Sequence, residues 1–108
     1  MKKYITAALL VASTTAMAQS YSDLDRKTIP YCAAIYGAFG VVASDPQAKS
    51  NLEGALVTLN QLNGRLNTGV SVNQLMTPMI KTFQKEAIQG NKPEQQRLAQ
   101  FESANCRK

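Results

Sequence analysis

The sequence predicts an all-α protein: a small four-helix up-and-down bundle, stapled by one disulfide between its first and last helices. Three observations carry that expectation. Apolar residues recur at helical spacing in four stretches, each bounded by capping residues, proline or glycine. No hairpin dipeptide and no alternating run of β-branched residues argues for a strand. The two cysteines, Cys32 and Cys106, stand near the start of the first stretch and at the end of the last. In an up-and-down bundle those two positions fall at the same end of neighbouring helices.

In the first stretch Ser22 and Asp25 are spaced as a capping pair, and Pro30 calls for either a fresh helix start near Thr28 or a kink. The helix is then expected to run to about Ala43. Asp45-Pro46 opens the second, because Asp accepts from free amides and proline in the first turn loses no needed donor. Leu52, Leu59 and Leu66 recur at seven with Ala55 and Leu62 between them and Leu56 alongside, so that helix should present a leucine seam. Gly54, in its middle, suggests close approach by a neighbour.

Asn67-Thr68-Gly69 ends the seam. Ser71 and Gln74 form a capping box for the third helix, with Val70 and Leu75 at the positions of a hydrophobic staple. Val72, Leu75, Met76, Met79, Ile80, Phe83 and Ala87 follow at core spacing. Pro78 should bend this helix or shift its start to Thr77. Gly90 stops it, Asn91 with Glu94 offers a capping pair around Pro93, and Leu98 and Phe101 anchor the fourth.

The N-terminus reads as a cleaved export signal over 1–18. Lys2 and Lys3 make a basic start, Ile5 to Ala12 are almost wholly apolar, and Ala16-Met17-Ala18 supplies the small residues a signal peptidase reads. The apolar run is too short to span a bilayer, which takes about 20 residues. A single helical domain over 19–108, delivered to the periplasm or secreted, is the expectation. Without Lys2 and Lys3 it carries ten basic against seven acidic side chains, a net +3 in place of the precursor's +5. Those cations are scattered, so the footprint of a nucleic-acid binder is missing.

Chemistry is bounded mainly by exclusion. The chain has no histidine, which removes Ser-His and Cys-His nucleophilic arrangements and the commonest zinc ligand. No CxxC or CxxCH spacing is present, so the cysteines read as one structural disulfide and no metal or other cofactor is expected. Asp23 and Asp25 sit beside a helix start, where acids serve the free amides; Glu86, Glu94 and Glu102 read as solvated surface charges. No catalytic residues are assigned.

The first helix departs from expectation. From Thr28 to Ser44 it carries 17 uncharged residues. Cys32, Ile35, Tyr36, Phe39 and Ala43 form one stripe suited to a core, and Ala33, Gly37, Gly40 and Ser44 form a stripe of small residues that admits a close neighbour. The remaining face carries Tyr31, Ala34, Ala38 and Val41, with nothing polar for water beyond one hydroxyl. Contact with a protein partner or a second copy, or deep burial, would each explain it; membrane contact fits poorly with Pro30 and two glycines. These features describe a non-catalytic exported interaction protein, such as an inhibitor, an immunity protein, a chaperone or an accessory subunit. The alternative is a carrier of a small apolar or amphipathic ligand in the bundle core, with Met76, Met79 and Phe83 on its wall.

Overall fold

A computed structural model describes residues 26–106; the export signal expected over 1–18 and the capping pair expected at Ser22 and Asp25 lie outside them. The described chain forms four helices and no strand: α1 (Thr28–Val42), α2 (Pro46–Leu66), α3 (Val72–Gln89) and α4 (Pro93–Phe101). A wider π-helical turn, Glu102–Cys106, continues α4.

Pro30 falls in the first turn of α1, where an amide hydrogen has no intrahelical acceptor, so the helix starts at Thr28 without a kink. Asp45 caps α2, its carboxylate accepting from the Ala48 amide at 2.9 Å. Ser71 caps α3 by accepting from the Gln74 amide at 3.3 Å. Asn67 and Gly90 close α2 and α3 in the left-handed conformation, which glycine adopts freely and asparagine tolerates. α3 runs unbroken from Val72 through Pro78, so its start is at Ser71 and not at Thr77.

Helix α1 is the centre of the packing. α2, α3 and the π-helical turn all lie against it, and Ile29, Pro30 and every residue from Cys32 to Ala38 are buried. This accounts for its missing polar face. Close approach is made at Gly37, where an added Cβ would stand 2.2 Å from Met76 Sδ. Gly54 has no atom of a neighbour within 4 Å of its would-be Cβ, so the approach expected there occurs instead at Gly37. Leu52, Ala55 and Leu59 bring the buried part of the leucine seam of α2 into the core. Phe39 and Phe83 pack with ring centroids 4.9 Å apart.

The Cys32–Cys106 disulfide joins the start of α1 to the end of the π-helical turn, with Cα atoms 5.7 Å apart. One turn along each element, Tyr36 donates a hydrogen bond to Glu102 Oε2 at 2.7 Å. The seam between the first and last helical segments is thus closed by a covalent link and a buried polar one, side by side.

Helix ends are also closed by side chains from other elements. Lys49 of α2 donates to the Gly40 carbonyl in the last turn of α1 at 2.7 Å, and Arg26 donates to the Leu66 carbonyl at the end of α2. The buried Glu86 carboxylate of α3 accepts from the Glu94 and Gln95 amides at 2.6 and 3.2 Å. Asn91 and Glu94 do not form the expected capping pair: Lys92 occupies the cap position of α4 and makes no side-chain cap bond. Glu86 supplies that function from the preceding helix. Glu86→Ala is expected to lower stability by about 1–3 kcal/mol, the cost of leaving buried donors without an acceptor. Urea unfolding measures the loss, and hydrogen exchange should quicken most at the Glu94 and Gln95 amides.

Candidate functional site

The cysteines assigned to the disulfide form it. The expected docking face of α1 is not intact. Ala34 and Ala38 are 0% exposed and belong to the continuous buried cluster with Leu59 and Phe83. A helix packed on several sides has no outward face at these positions, and neither alanine is reachable from solvent. Val41 remains 46% exposed near the end of α1, and Tyr31 is half-buried at its start. The four residues therefore do not make one surface.

Tyr31 instead borders an open groove against α3. Leu75, Pro78 and Met79 form its apolar part, Gln74 and Thr82 extend it along the same helix, and Tyr31 and Glu94 close the far side. Its volume is about 280 Å³. The spacing of Leu75, Pro78, Met79 and Thr82 puts one face of α3 toward the groove. Pro78 has a second effect there, because it lacks the amide hydrogen that would bond the Gln74 carbonyl four residues back.

The three residues assigned to a ligand wall are divided by the fold. Met79 borders the groove, Met76 reaches the backbone of α1 at Gly37, and Phe83 is fully buried beside Phe39. The Tyr31 wall is braced from behind: its ring meets Phe101 edge-on, with centroids 4.9 Å apart and planes at 78°.

At the rim, Arg97 makes a two-pronged contact with Glu94, at 2.9 Å from Nε and 2.5 Å from Nη2, and reaches the Tyr31 hydroxyl at 3.5 Å. These hydrogen bonds hold the Glu94 carboxyl below its ordinary range, against a smaller opposing effect of burial, and raise Arg97 above its own. The contribution of Glu94 to stability is therefore present above its unfolded-state titration and fades as pH falls through its lower folded value. Exposure of the pair to water keeps that contribution small.

Glu86 and Glu102, read from the sequence as solvated charges, are 4% and 7% exposed. Glu86 holds the start of α4 and Glu102 accepts from Tyr36. The signal was present in the spacing. Glu86 follows Phe83 by three residues and Met79 by seven, on the core stripe of α3, while Ala87, expected on that stripe, is exposed. Glu102 stands four residues after Leu98 and four before Cys106, both fully buried.

Among the described residues no group of three or more acidic, cysteine or histidine side chains is placed to hold a metal ion. No described helix is long and apolar enough to cross a membrane. Comparison with protein-family models, with curated proteins and with solved structures finds no match to this chain.

Proposed function

We propose that this is a non-catalytic exported protein that binds a protein partner through the groove between α3 and Tyr31. The observation that supports this reading is the groove itself: concave, apolar along Leu75, Pro78 and Met79, and rimmed by polar groups. That composition suits an anchoring side chain surrounded by a hydrogen-bonding edge. At about 280 Å³ it falls just below the roughly 300–1,000 Å³ usual for small-molecule pockets. It has room for a few side chains of a partner. The buried disulfide agrees with an oxidising destination, where such links form and persist.

Native mass spectrometry of the protein purified from its own envelope extract tests the reading. A complex with a protein mass is expected, and it should disappear in Thr82→Arg, which fills the groove from a half-buried position while preserving the helical circular dichroism. A retained small-molecule mass would favour the carrier. A protein complex indifferent to Thr82→Arg would move the contact away from the groove.

A further inference from the structure

The geometry points to Met76 as a site of reversible oxidative modification, at which a peroxide converts the thioether to the sulfoxide and so releases α3 from α1 at Gly37. This concerns the packing of the bundle and holds whatever occupies the groove.

The chain has four methionines. Met1 and Met17 fall within the export signal expected over 1–18, so Met76 and Met79 are the two expected in the exported domain. They stand three residues apart on α3 in different surroundings. Met79 is 9% exposed and belongs to the continuous apolar cluster. Met76 is half-buried, and its sulfur lies against the backbone of α1 where any residue other than glycine at position 37 would place its Cβ. Leu56 of α2 reaches the same spot, its Cδ2 3.2 Å from that would-be Cβ. The sulfur thus stands where α1, α2 and α3 meet, on a side chain that solvent also touches.

A thioether suits this position because it is apolar, polarizable and unbranched, and can lie on bare helical backbone. Oxidation removes that fit. The sulfur lone pair attacks one oxygen of hydrogen peroxide, the O–O bond breaks, an S–O bond forms and, after proton transfer, water leaves; sulfur loses two electrons and the peroxide gains them. The sulfoxide is polar and demands a hydrogen-bond donor. Gly37 lies inside α1, where its amide hydrogen is bonded to the carbonyl four residues back, and Leu56 offers only methyl groups. The new oxygen therefore either stays over Gly37 without a donor, which is unfavourable in a packed site, or turns to water and draws the sulfur away from α1. Both outcomes end the contact, and residue 37 has no side chain with which to fill the gap.

The disulfide-bonded protein is treated with hydrogen peroxide, mapped by peptide mass and melted. Met76 is expected to gain one oxygen several times faster than Met79, and the singly oxidised protein to melt about 4–8 °C earlier. Treatment with methionine sulfoxide reductases for both epimers should restore the original melting curve. Met76→Leu keeps an apolar side chain of similar volume and should make the melting temperature indifferent to peroxide, whereas Met79→Leu should leave the response in place. Oxidation of Met79 as fast as Met76 would overturn the assignment of the site. Complete oxidation of Met76 with an unchanged melting curve would overturn its effect on packing, as would an undiminished response in Met76→Leu. The first two readings are made on the wild-type chain and stand even if a variant folds poorly.

Discussion

Ala38→Glu is expected to unfold the domain. Ala38 is 0% exposed in the middle of α1, the helix on which α2, α3 and the π-helical turn all pack. A carboxylate there must either stay ionised without a partner or take up a proton, and its bulk must displace neighbours in a packed core. Each effect costs several kcal/mol, against a total stability of about 5–15 kcal/mol for a typical domain. Far-ultraviolet circular dichroism should show loss of helix at room temperature, and Ala34→Glu should behave alike. A folded, soluble Ala38→Glu variant with an unchanged melting curve would mean that this side of α1 is accessible after all.

Removal of the disulfide should have the next largest effect. Cys32 and Cys106 are 74 positions apart, and closing a loop of that size restricts the unfolded chain by about 4.5 kcal/mol in the chain-entropy account. Cys106→Ser is expected to lower stability by about 2–5 kcal/mol, so that the helical signal melts many degrees earlier while persisting in the cold. Because both cysteines are fully buried, the native protein should also resist reductant until it unfolds. An unaltered melting curve, or rapid alkylation of both sulfurs in the native protein, would contradict the arrangement.

The punctuation of the helices was legible because it is local. Asp45, Ser71, Asn67 and Gly90 act within a few residues of themselves, and each occupies the cap to which its chemistry points. The disulfide was legible because two cysteines admit one intramolecular pairing. The unreadable features depend on which helix lies beside which. Nothing local says that Glu86 will cap α4, that Lys49 will reach the last turn of α1, or that Ala34 will be enclosed. The uncharged composition of α1 did announce something unusual, and a helix at the centre of its bundle and a helix docked on a partner have the same composition. Pro78 and Met79 were noticed for their chemistry, but Tyr31 and Glu94 join them only through the fold.

The position of the disulfide also decides how the molecule bears a load. Cys32 lies in the second turn of α1 and Cys106 is the last residue of the π-helical turn, so α2, α3 and α4 all sit on a covalent ring closed at one point. Tension applied between Arg26 and Cys106 runs from the first turn of α1 directly across the sulfur–sulfur bond and leaves the ring slack. A partner or a translocating machine pulling on the flanking chain would strip at most that first turn, while the Leu75–Pro78–Met79 face kept its shape. Cutting the sulfur link would instead place every helix of the bundle in series with the pull.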